Sequence, residues 1–298
     1  MMWLVWRQQR AQVLSSVGVV AALILMWAFV LVEVSGCDSW RGCSAPFRAE
    51  LASRYGYYCM TIPALCFVLG VFAGAPLFAR EFEERTHAFV MTQTGGRGRW
   101  ILLKIVISVL PVAIALTGLG VISAVAHERA WMPNPLLQPT GYMGNGVLLV
   151  GLFLLAFGLS VLLGVIGRKT LPAMVLALVG FLPATLIVAQ LIRPGVLPPE
   201  RVTMEITDID LSDSDSFIPT PEVPASASVD DYGYLDVDGA ETPSCVGSDC
   251  EVDVAMSYVE FYWNDEFWSL QWFDFGCYAA LSLLLTAGTV KRMTRAGI

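Results

Sequence analysis

The sequence predicts an all-α polytopic membrane protein with six transmembrane helices, cytoplasmic N and C termini, and a large acidic extracellular loop between helices five and six. Three observations predict it. Of 298 residues, 56% are hydrophobic and only 15% are charged, whereas about a quarter charged is usual for a water-soluble surface. Six apolar stretches reach the roughly 20 residues that a helix needs to cross a bilayer core. The net charge of −8 is also unevenly placed: residues 193–268 hold 18 acidic and 2 basic side chains, which leaves +8 on the rest.

The first ten residues, Met1 to Arg10, combine Trp3 and Trp6 with Arg7 and Arg10. They read as an interfacial helix along the inner leaflet, before the chain turns upward. The spans follow at about 11–32, 57–79, 105–126, 147–167, 171–192 and 269–290. The apolar run of the first is too long for a cleaved signal peptide, and no small-x-small site follows it. Each span is helical, because backbone groups in lipid find no water to bond. Pro63, Pro76, Pro111 and Pro183 then fall inside or near helices.

Basic residues set the orientation. With the N-terminus inside, the cytoplasm receives 12 of the 18 basic residues and three acids, Glu81, Glu83 and Glu84. The short segments all agree. Cys37 and Cys43 fall in the first outer loop and Cys245 and Cys250 in the last, two close pairs suited to disulfides in an oxidising exterior. Cys59, Cys66 and Cys277 lie within spans. No metal site is expected, since neither His87 nor His127 adjoins both cysteine pairs.

Residues 193–268 form an outer loop or small domain. Through about Ala240 it is rich in Asp, Ser, Pro and Glu, which leaves little apolar surface to offset the entropy of ordering. The Asp208, Asp210, Asp213, Asp215 run lacks the glycine and glutamate of a calcium loop. Farther on, Tyr258, Phe261, Tyr262, Trp263, Phe267, Trp268, Trp272, Phe273 and Phe275 crowd the entrance to the last span. An aromatic belt at the outer interface explains them best. A lid over a path is the sharper alternative, with Trp268, Trp272 and Asp274 as a candidate outer gate. Asp274 lies just inside its span, where an ionisable group usually faces protein or water rather than lipid. Its place near the outer end makes snorkelling to the interface a nearly equal account, and snorkelling also accounts for Lys104 near the inner end of its own span.

The cytoplasmic side carries no ATPase signature. Gly167-Arg168-Lys169-Thr170 only partly echoes a phosphate-binding loop and sits in a tight turn between spans. No hydrolase elbow, zinc-protease helix or cofactor fingerprint is present, and neither catalytic residues nor a nucleic-acid partner is expected. What that side does have is a segment at 80–97. On a helix Glu81 and Arg85 pair at i,i+4, and Phe82, Phe89 and Val90 make an apolar patch suited to a groove on another protein. Gly95-Gly96 ends it, and Arg97, Arg99 and Trp100 lead into the third span.

Trp3, Trp6-Arg7-Gln8 and Arg10 resemble the openings of actinobacterial ABC-transporter permeases. So does the run from Pro76-Leu77 and Ala79-Arg80-Glu81-Phe82-Glu83 through Thr86-His87, Thr92-Gln93, Arg97, Arg99-Trp100 and Lys104. Leu171-Pro172-Ala173-Met174 fits as well. The resemblance covers about residues 1–192 and 269–298, and its most specific part follows the second span. It implies the permease of an exporter in a bacterial cell membrane. The partners implied are a second permease, identical or paralogous, and two separate ATPase subunits carrying ATP and Mg. By the same resemblance, Arg80, Glu81, Phe82, Glu83, Glu84, Arg85, Thr86, His87, Thr92, Gln93 and Arg97 couple those ATPases to the membrane helices. Trp3, Trp6, Arg7 and Arg10 supply a second contact. The alternatives are an ion-gradient carrier, which would want ionisable residues at mid-membrane, and a surface receptor built on the acidic loop.

Overall fold

The computed structural model describes residues 2–35, 44–83, 97–130, 139–205, 227–236, 241–242 and 254–295. Six helices among them are long and apolar enough to cross a membrane. Helices α1 (Met2–Ser35), α2 (Ala45–Glu83) and α3 (Arg97–Ala130) have 34, 39 and 34 residues. At 1.5 Å per residue each is about 50–60 Å long, well beyond a hydrocarbon core of about 30 Å. Their ends therefore project past the apolar runs that announced them.

The expected turn after Arg10 is absent. Helix α1 is continuous, and its span begins at Trp6. No proline interrupts it, and its first turns are held upright from within the bundle: Gln9 is buried, and its side-chain oxygen accepts a 2.8 Å hydrogen bond from Ser108 Oγ of α3.

A short helix, α4 (Pro139–Gly144), precedes α5 (Leu148–Gly167). Gly146 in the turn between them has φ +71° and donates its N–H to Gly120 O at 3.2 Å. A two-residue turn then reverses the chain into α6 (Thr170–Ile187), with Arg168 at φ 53° and Lys169 extended. The partial phosphate-loop echo is thus only a helix reversal. A single π-turn, Val188–Ile192, leads to α7 (Arg193–Val196), and α8 (Phe267–Arg295) closes the chain.

Helix α5 is the centre of the bundle, packed between α2 and α8. Small residues allow the approach, as expected where lipid supplies no hydrophobic drive between helices. A Cβ on Gly70 of α2 would stand 2.6 Å from Phe153 O and 2.7 Å from Ala156 Cβ. On the other side Gly158 meets Ser282 of α8, whose hydroxyl donates to Leu154 O at 2.6 Å. Helices α1 and α3 pack on each other. Helix α6 leaves most of its surface outside the bundle, with Leu171, Val175, Val179 and Leu182 all exposed.

The segment between α7 and α8 departs from the all-α expectation. Strands β1 (Glu200–Glu205), β2 (Ala227–Asp236), β3 (Glu241–Thr242) and β4 (Val254–Trp263) form one antiparallel sheet in the order β1-β4-β2-β3. Two strands, β1 and β2, fall in the acidic half, where little apolar surface was expected to offset the entropy of ordering. Of the two inner strands, β4 is the more aromatic. Tyr258, Phe261 and Tyr262 are buried in the sheet rather than held at an interface, and Tyr262 donates to Leu197 O at 3.1 Å. Cross-strand burial of these rings supplies the apolar area that the acidic strands lack. With six spans between them, the start of α1 and the end of α8 lie on one face of the bundle, the termini face. The sheet lies on the other.

Candidate functional site

Two polar clusters occupy opposite ends of the bundle. On the sheet face, Asp274 of α8 is fully buried. Its carboxylate accepts from Arg193 Nε at 3.3 Å, from Arg193 Nη2, and from the Tyr142 hydroxyl at 2.8 Å. The guanidinium also lies 4.7 Å from the Tyr142 ring centroid. Burial, followed by the Asp274 charge, holds the Tyr142 phenol far above its ordinary range, so it remains a donor. One turn earlier on α8, the buried Gln271 donates to Tyr142 O at 2.8 Å and accepts from Leu148 N at 2.9 Å. That second bond satisfies an otherwise orphaned amide at the start of α5. Helices α4, α5, α7 and α8 are thereby joined.

Of the two readings of Asp274, the buried carboxylate fits the protein-facing one rather than snorkelling. A carboxylate this deep in protein requires charge and hydrogen-bond partners, and Arg193 supplies them from 81 residues away. Of the three candidate gate residues, Trp268 and Trp272 are 43% and 56% exposed on the outer side of α8. Asp274, by contrast, is buried within the bundle.

On the termini face, Lys104 of α3 is buried. It donates to Leu77 O at 2.7 Å and to Glu81 Oε1 at 2.5 Å, and its ammonium lies 5.2 and 4.9 Å from the Phe78 and Trp100 ring centroids. It does not snorkel either, since its contacts with Leu77, Phe78 and Glu81 draw it toward the end of α2. Two residues beyond Glu81, Glu83 accepts from Thr170 N at 2.8 Å and from Thr170 Oγ1 at 3.1 Å. A carboxylate on the first amide of α6 complements the helix dipole and caps the helix.

Several sequence-predicted residues are thereby placed. Glu81 pairs across to Lys104. Its expected helical partner, Arg85, lies outside the described residues, as do Glu84, Thr86, His87, Phe89, Val90, Thr92 and Gln93. Arg80 is exposed at the end of α2. Phe82 faces the bundle, with the Arg168 guanidinium 5.8 Å from its ring, and so adds nothing to an apolar docking patch. Arg97 opens α3. Trp3, Trp6, Arg7 and Arg10 are exposed, and Arg7 lies 5.3 Å from the Trp3 ring. Cys37, Cys43, Cys245 and Cys250 fall outside the described residues. Sequence reasoning missed Tyr142, Arg193 and Gln271 altogether, and met Thr170 only as part of the turn between spans. The available signal was an acid and an amide at i,i+3 in one apolar helix, Gln271 and Asp274.

Residues 10–193 match the family described as ABC-2 membrane transporter related. The chain belongs to this family. It is on that ground an ABC-2-type permease, a multi-pass membrane subunit rather than the ATPase itself, and the family implies partnering with ATPase subunits. Neither the curated proteins nor the solved structures give a match. The ABC-2 match takes in α2, α3 and the start of α6, hence the whole termini-face cluster, and it stops at Arg193. The acceptor of that arginine, Asp274, lies beyond the matched residues on α8.

Proposed function

We propose that this permease is the transmembrane subunit of an ATP-binding-cassette exporter. Its termini face is cytoplasmic and meets two copies of a separate ATPase, on which ATP and Mg are bound. It pairs with a second permease, identical or paralogous, and the exposed flank of α6 leaves surface for such a partner. The segment 80–97 and the first turns of α1 receive the ATPase. The observation that carries the reading is the anchoring of the α2 terminus to two further spans, through Glu81 on Lys104 and Glu83 on Thr170. A displacement applied at that terminus is delivered to α3 and α6 together.

The ion-gradient carrier draws on one observation, the buried Arg193–Asp274 pair. Its carboxylate is already occupied by a guanidinium and a phenol, so it offers no open position for a travelling ion or proton. The pair fits a closed outer end better than an ion site.

Simultaneous replacement, Glu83→Gln with Arg85→Gln, tests the exporter. The variant is expected to insert and to hold its ATPase, but to hydrolyse ATP without net transport. Transport at the wild-type rate overturns the assignment.

A further inference from the structure

Pro76 lies inside α2, seven residues before its end at Glu83. Its ring nitrogen has no proton, so the carbonyl of Phe72, four residues earlier, loses its helical donor. In a membrane an orphaned carbonyl must be satisfied by protein. Here Gln12 Nε2 of α1 donates to Phe72 O at 2.5 Å. A neighbouring helix thus completes the broken turn without restoring the continuous ladder that would stiffen it.

Below that break, the remaining turns of α2 are held from the side. Lys104 donates to the backbone at Leu77 O and to the side chain at Glu81. Its ammonium also packs against Phe78. All three contacts lie on residues 77–81, beyond the proline. A buried lysine is an expensive way to fill space, since a hydrophobic residue of similar volume often serves stability as well or better. What an apolar residue cannot do is keep a fixed attachment to both a backbone oxygen and a carboxylate of a moving segment.

We propose that residues 77–83 form a lever hinged at Pro76, with Gln12 holding the hinge carbonyl, and that Lys104 is the positioning residue passing the lever's displacement to α3. This rests on the reading that the termini face meets the ATPase. Glu83 carries the same motion to α6 through Thr170.

The test uses the assembly purified through a tag on this chain, with whatever ATPase it retains. Backbone hydrogen exchange is followed by mass spectrometry over residues 139–148 and 264–275 at the sheet face, with and without ATP plus orthovanadate. The wild-type assembly is expected to show a nucleotide-dependent change there. In Lys104→Met that change should shrink by roughly fivefold or more with ATPase content unaltered, whereas Lys104→Arg should retain most of it. Pro76→Ala, which returns an amide to Phe72 O, should stiffen the hinge and make a further Gln12→Leu change silent.

A full nucleotide response in Lys104→Met, or equal losses in the Met and Arg variants, overturns the lever. Should Lys104→Met fail to accumulate, Glu81→Gln replaces it, and an undiminished response there is equally fatal. Absence of any retained ATPase in the wild-type assembly instead overturns the exporter reading, and the lever with it.

Discussion

Replacing Asp274 with alanine perturbs the most deeply buried charge among the described residues. The side chain is 0% exposed and accepts from Arg193 Nε, Arg193 Nη2 and the Tyr142 hydroxyl. Alanine leaves the guanidinium, itself only 15% exposed, without its counter-ion, and leaves the phenol without its acceptor. Breaking a buried pair from one side costs about 3–5 kcal/mol. Single hydrogen bonds between membrane helices average only about 0.6 kcal/mol, so the charge rather than the bond count sets the scale. The expected loss is about 3 kcal/mol, roughly a hundredfold in the folded-to-unfolded ratio. Asp274→Asn, which keeps shape and one acceptor, should lose less. Arg193→Met combined with Asp274→Leu removes both charges and should recover more than half of the alanine loss. SDS titration of the protein in mixed micelles, followed by circular dichroism, measures all three. A loss below about 0.5 kcal/mol for Asp274→Ala, or a double variant no better than the single one, would refute the pairing argument.

Two further outcomes follow from the packing and the charge distribution. Gly70→Ala should cost about 1–3 kcal/mol in the same titration, because the new methyl meets Phe153 O and Ala156 Cβ. Gly180→Ala and Gly276→Ala, with nothing within 4 Å, should be neutral or stabilising by about 0.5–1 kcal/mol; matching losses at all three would refute the close-packing account of α5. A membrane-impermeant maleimide applied to intact cells should label Asp265→Cys above the native background and leave Lys169→Cys unlabelled. The reverse pattern contradicts a cytoplasmic termini face.

The spans were legible because lipid selects for long apolar runs and little else, and those runs stand out in sequence. Their true helix ends were not. Helix α2 was expected at 57–79 and runs from Ala45 to Glu83, since Arg48, Glu50 and Arg54 read as loop although Glu50 and Arg54 pair at i,i+4 on a helix. The sheet was hidden for a related reason. Strand β2 carries Asp230, Asp231 and Asp236 and looks like a solvated acidic tract until β4 supplies the rings it packs against.

The charged clusters were the least legible. Position in a span says how deep a charge sits, but not whether a partner waits there. Arg193, which pairs with Asp274, follows directly on the π-turn at Val188–Ile192, and no residue type announces such a turn. Lys104 and Glu81 were both noticed, each with a local explanation. Their 23-residue separation spans a reversal between helices, which periodicity within one helix cannot see.

The central claim is that this polypeptide is a conduit driven by a separate ATPase, and the most direct test is ATP hydrolysis and transport in proteoliposomes with and without the co-isolated ATPase. The permease by itself should hydrolyse nothing and move nothing, and the combined assembly should do both. Hydrolysis by the permease alone, or transport at full rate without the ATPase, would contradict the account.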